Sequence, residues 1–130
     1  MNVPYLYDPK ALIAINDNDG DMWARHSVAP AEGRDVHIPS VVVAQAWRDA
    51  RRQVRLGKFL AGCRVVPVEL EIAKAAGVLC GKSRTADIVD ATVVVMAAAL
   101  GAIIWTSDPD DIHALIDAQG LKPAPVFRTV

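Results

Sequence analysis

Short apolar runs alternate along this chain with segments of helical period, and acidic residues stand where the two meet. This alternation constrains the fold more than any other feature. Val3 to Tyr7 reads as a strand that stops at Asp8, and Ala102 to Trp105 reads as a buried strand running into Thr106-Ser107-Asp108-Pro109-Asp110-Asp111. Between them, residues 36–38 and 64–68 read as strands. Residues 11–15, 41–50, 51–60, 69–79 and 91–100 read as helices, with 111–118 a last helix closed by Gly120. Repeated strand–helix units predict an α/β fold with a short, mostly parallel sheet and helices on both faces. Residues 125–127 would add an edge strand. Carboxylates at the C-terminal ends of parallel strands stand where open α/β sheets bind ligands. If Asp8, Asp90 and Asp108 converge, they offer an all-oxygen pocket suited to Mg²⁺ or Mn²⁺.

Local signals sharpen the element boundaries. Pro9 suits the first turn of a helix, and Ser40 is a candidate N-cap for the 41–50 helix. Thr85 or Asp87 can cap the helix that opens before Ala91, and Gly101 ends it. Residues 16–21 and 81–85 read as polar loops. Residues 22–29 read as a helix anchored by Trp23. Leu70, Ala73, Ala76 and Leu79 recur at helical spacing and can share one face.

Length and composition fit one domain over residues 1–130, with 52% hydrophobic residues for a core. Cys63 and Cys80 form no CxxC pair, which argues against zinc and for a reduced, cytoplasmic chain. The first residues lack the pattern of a signal peptide, and the longest apolar run is too short to span a membrane. No dinucleotide, P-loop or GxSxG motif is present. Asp17, Asp19 and Asp21 lack the helix-flanked loop and terminal glutamate of a calcium site. His26, His37 and His113 have no metal-ligand spacing. The net charge of −1 argues against a nucleic-acid binder unless basic charge is local. It is local: Arg48, Arg51, Arg52, Arg55 and Lys58 recur at helical spacing against the single acid Asp49. That stripe can hold an RNA backbone, dock an acidic partner segment or simply be a solvated face. Trp47 and Trp23 read as core residues before partner-binding ones.

Four segments taken in order resemble a PIN domain: Tyr7-Asp8 with Ala11 to Ala14, Ile38-Pro39-Ser40 through Arg48, Asp87-Ile88-Val89-Asp90-Ala91, and Thr106 through Asp111. Within that group the chain is similar to the small bacterial VapC-type ribonuclease toxins, and the resemblance covers nearly the whole chain. It implies a three-layer α/β/α fold and a Mg²⁺- or Mn²⁺-dependent endoribonuclease. It further implies a type II toxin with an antitoxin partner, working as a homodimer. It implies Asp8, Asp90 and Asp108 as metal ligands, with Asp87 and Asp110 in support and Thr106 hydrogen-bonding the carboxylates. The resemblance departs at Gln45, where the family's early helix supplies a glutamate. A glutamine carbonyl can order metal-bound water but carries no charge, so divalent affinity should be weaker. Pro9 also departs, since a small polar residue is commoner there. The readings beside this one are a catalytically weak PIN-like binding module and an aspartyl-phosphate protein using Lys10, which the remaining pattern does not fit. Helix capping accounts for at least one of Asp110 and Asp111, and Asp110 is the expected site residue.

Overall fold

Tyr5–Tyr7 forms strand β1, and Asp8-Pro9 turns it directly into helix α1, Pro9–Asn16. The turn is set locally. Pro9 brings a helical φ and lacks an N–H that would be orphaned at that position. The Asp8 carboxylate accepts the Ala11 N–H at 2.8 Å and so caps the helix. Ala11, Leu12 and Ile15 then bury one stripe of α1. The structure, a computed structural model, describes residues 3–17 and 35–129. The expected 22–29 helix with Trp23, His26, the 30–34 loop and residues 18–21 lie outside the described residues.

Strand β2, Val36–Pro39, leads into α2, Ser40–Ala46, and then α3, Val54–Ala61. Strand β3 is Arg64–Val66 and is followed by two longer helices, α4, Leu70–Ser83, and α5, Ile88–Leu100. Strand β4, Ile103–Thr106, helix α6, Pro109–Gln119, and strand β5, Val126–Thr129, complete the described elements. All strand pairings are parallel, in the order β3-β2-β1-β4-β5. The chain therefore steps outward from β1 to β3, crosses back to the other side of β1, and steps outward again. Helix α1 packs with α2 and α3, whereas α4, α5 and α6 pack together, which makes the three-layer α/β/α arrangement. Leu6, Leu12, Ile15, Ile38, Val42, Val93, Val94, Ile104 and Ile112 are fully buried between the layers. Every residue of α5 from Asp90 to Ala97 is buried, as its all-round apolar sequence requires.

Gly101 and Gly120 close α5 and α6 with φ of 65° and 69°. No atom lies within 4 Å of a Cβ built at Gly101, so a substitution there meets only backbone strain. Gly101→Ala is expected to destabilise the fold by about 1 kcal/mol, read as a lower thermal midpoint with no change in far-ultraviolet circular dichroism.

Four local expectations are corrected. Ser40 is the first helical residue, and the N-cap is Pro39, which makes no side-chain cap bond. The helix after it does not run on to residue 50 and into a basic helix. It stops at Ala46, and Trp47 turns extended. The buried Gln53 causes the break: its Oε1 accepts the N–H groups of Arg48 at 2.6 Å and Asp49 at 2.9 Å, and its Nε2 donates to Ala46 O at 2.9 Å. One side chain thus takes up backbone groups that a continuous helix would have paired. Helix α4 continues through Gly81 to Ser83, whose hydroxyl donates to Leu79 O at 2.9 Å, and ends on Arg84 in the left-handed region. Its buried stripe is Ile72, Ala76, Leu79 and Cys80, while Leu70 is 64% exposed and Ala73 is also exposed.

Candidate metal centre

The strand order reverses between β1 and β4, and the chain leaves the carboxyl ends of both strands there. The Asp8 N–H donates to Trp105 O at 3.1 Å, carrying the ladder one residue past β1. Asp8 is thereby fixed against β4 with only 1% of its surface exposed. The fully buried Thr106 hydroxyl accepts the Asp108 N–H at 2.9 Å and bonds the Asp8 carboxyl, tying the two strand ends together. Burial pushes the Asp8 carboxyl above its ordinary range, opposed by the bonds from Thr106 and Ala11 and by the charge of Lys10.

The start of α5 supplies the next pair. Asp87 is held by its N–H donating to Thr85 Oγ1 at 3.1 Å, and its carboxylate caps α5 by accepting the Asp90 N–H at 3.0 Å. Asp90 is 7% exposed. The carboxylate oxygens of Asp87, Asp90 and Asp111 all lie within 4.8 Å of one another. Burial, then the charge of Asp87, pushes the Asp90 carboxyl up to about 7, with Asp8 and Asp111 adding to it. The Asp108 charge raises Asp111 in turn. Asp108 itself is held low by Lys10, whose ammonium pairs with its Oδ2.

This donor set fits a hard divalent cation. It is all carboxylate oxygen, it is close enough to share one ion, and its mutual repulsion is the condition a cation relieves. Magnesium or manganese would meet Asp87, Asp90 and Asp111, with Asp8 and Asp108 beside them.

Asp8, Asp87, Asp90, Asp108 and Thr106 therefore come to one region, as the sequence suggested. Asp111 joins them in place of Asp110, which is exposed in the first turn of α6 and outside the close group. Asp108 and Asp111 flank a helix start three residues apart, the same pattern as Asp87 and Asp90, so the signal was present. Lys10, which the sequence offered only to an aspartyl-phosphate reading, pairs with Asp108. Gln45 is exposed near the end of α2. The basic residues do not form one helical stripe: Arg48, Arg51 and Arg52 lie on the connection held by Gln53, and Arg55 and Lys58 on α3. Arg48 donates to Ala44 O at 3.2 Å and Trp47 O at 2.6 Å, capping the end of α2.

A parallel α/β/α fold with carboxylates gathered where its strand order reverses has the architecture of a PIN domain. No protein-family model and no curated protein matches the chain. Solved structures do share its fold. A chain of the VapBC2 structure from Rickettsia felis, bound to a DNA fragment from its promoter, superposes with a TM-score of 0.70 at 14% identity, covering 98% of each chain. A chain of a toxin–antitoxin complex from Klebsiella pneumoniae gives 0.65 at 15% identity, covering 82% of this chain and 88% of that one. PAE2754 from Pyrobaculum aerophilum gives 0.61 at 20% identity, covering 91% and 87%. The chain thus shares the fold of these structures, an α/β/α arrangement of the kind that the four segments suggested. Among the described residues, no helix is long and apolar enough to cross a membrane.

Proposed function

We propose that this chain is a divalent-metal-dependent endoribonuclease, acting as one domain, and the cytoplasmic toxin half of a type II toxin–antitoxin pair. The observation that carries the reading is the approach of Asp87, Asp90 and Asp111 to within 4.8 Å, beside Asp8 and Asp108. Carboxylates so placed can hold Mg²⁺ or Mn²⁺, which acidifies a bound water and stabilises charge on a phosphodiester. Asp8, Asp90 and Asp108 are the central residues, with Asp87 and Asp111 completing the cation's ligands. Thr106 orients Asp8. Asp110 is left to the helix start. The toxin–antitoxin complex and the VapBC structures among the structural neighbours support an antitoxin partner, and homodimerisation is what the sequence resemblance implies. Arg48, Arg51, Arg52, Arg55 and Lys58 are the surface for RNA or antitoxin.

The test is incubation of total cellular RNA with purified protein freed of any antitoxin, in Mg²⁺, Mn²⁺ or EDTA, beside Asp8→Asn. Cutting at discrete sites that needs metal and is lost in the variant is the expected result. An absence of cutting by a folded protein would favour the second reading, a PIN-fold binding module of little activity. That reading has its own support in the uncharged Gln45 and the cationic Lys10. Gln45→Glu is expected to tighten Mn²⁺ binding by roughly tenfold, within the range seen when groups around a metal are changed. Unchanged affinity by calorimetry would remove Gln45 from the site.

A further inference from the structure

Lys10 stands in the wrong place for its helix. It is the second residue of α1, where the N-cap Asp8 already supplies the negative charge that this helix start favours. A cation there opposes the helix dipole, which favours negative charge at this end. Asp108 is out of place in the complementary sense. It is the N-cap residue of α6, yet it makes no side-chain cap bond. Its carboxylate goes instead to the Lys10 ammonium, across a sequence separation of 98 residues. The Asp108 carboxylate also bonds Asp111, so the start of α6 keeps its favourable negative charge, whereas the start of α1 gains nothing from the ammonium. The pair is also half open to water, with side-chain exposures of 53% for Lys10 and 26% for Asp108, so it contributes little stability. What the pair does accomplish is to place one positive charge among four carboxylates: Asp108, Asp111 and Asp90 all act on Lys10, and Lys10 acts on Asp8.

From this geometry we infer that Lys10 is a tethered second cation, which holds the Asp108 side of the centre so that the site takes one divalent ion, at Asp87, Asp90 and Asp111. The inference rests on the metal-centre reading above and deepens it. In a two-ion site the second ion neutralises charge on the phosphate oxygens. Here the ammonium does so, and it is well suited as a compact point charge on a flexible stem.

The experiment is Mn²⁺ binding to the full chain by calorimetry and electron paramagnetic resonance, comparing wild type, Lys10→Met and Lys10→Arg. The exposed stem of Lys10 makes all three compatible with the fold, and thermal melts in EDTA check this. Wild type is expected to bind one Mn²⁺ per chain. Lys10→Met keeps the stem and loses the charge, so it is expected to bind that ion at least tenfold more tightly and to accept a second. Lys10→Arg keeps wild-type stoichiometry. RNA cleavage by Lys10→Met at one equivalent of Mn²⁺ is expected to fall tenfold or more despite the tighter metal. Two Mn²⁺ on wild type, or identical binding by wild type and Lys10→Met, would overturn the inference while leaving the metal centre standing. No Mn²⁺ on any of the three would overturn both. Should Lys10→Met not fold, Lys10→Gln carries the same comparison.

Discussion

Asp90→Asn is expected to abolish metal-dependent cleavage and, at the same time, to stabilise the metal-free protein above neutral pH. Both effects come from one crowded carboxyl. Changes to groups that merely support metal ligands lower affinity or activity by roughly 10- to 100-fold, so loss of a direct ligand is expected to lower cleavage by about 100-fold or more. The stability effect has the opposite sign. Burial and the Asp87 charge raise the folded-state value for Asp90 from 3.8 to about 7. Between these values the unfolded chain has released the proton and the folded chain still holds it. The folded state therefore binds more protons, and stability falls as pH rises through this window. Above pH 7 the full penalty is present, on the order of 2–4 kcal/mol. Thermal melts in EDTA at pH 5 and pH 8 check this. Wild type should melt lower at pH 8, and Asp90→Asn should largely remove the difference. Mn²⁺ should restore the wild type at pH 8, because an ion that binds only the folded state stabilises it. A wild-type midpoint that did not move between the two pH values would contradict the crowding described at α5.

Gln53→Ala is expected to destabilise the fold by about 3 kcal/mol, from the loss of three hydrogen bonds at roughly 1 kcal/mol each. The size follows from where those bonds go. Two backbone donors and one carbonyl between Ala46 and Asp49 would lose their partner beside a side chain that is itself only 7% exposed. The same change would loosen the connection carrying Arg48, Arg51 and Arg52. Equilibrium urea unfolding measures the first effect, and the salt dependence of RNA binding reads the second. A loss below 1 kcal/mol would mean that water replaces the amide readily and that the break between α2 and α3 has another cause.

What the sequence made legible was chiefly local. Asp8-Pro9 at the start of α1, Gly101 and Gly120 at helix ends, and the 91–97 stretch, apolar but for Thr92, each act within a few residues, so their readings carry into the structure with small changes of boundary. The α2–α3 break was hidden because residues 41–60 look like one amphipathic helix. Only the reach of Gln53 back to Ala46 shows otherwise. Leu70 misled for a related reason: helical spacing identifies a stripe but not how it is turned toward a neighbour, and α4 buries the expected Ala76 and Leu79 but flanks them with Ile72 and Cys80 in place of Leu70 and Ala73. In the centre, Asp8, Asp87, Asp90 and Asp108 were legible as ends of apolar segments. The Lys10–Asp108 pair was not, because it exists only once β1 lies against β4. Asp111 did not stand out because the helix dipole explains an acid at that position equally well, for it as for Asp110.

The pairing of β1 with β4 also sets when the centre can come into being. Asp8 is synthesised well before its shelter, which is made by Trp105 and Thr106, and Asp111 comes later still. A nascent chain that has exposed α1 through α4 holds Asp8 and Lys10 at a sheet edge, with neither β4 nor the acids that follow it. Contacts between such distant segments form late, since the intervening chain must be ordered first. On the ribosome, an unfinished copy therefore carries only fragments of the candidate centre, which is assembled only when β4 and the start of α6 come to lie against β1.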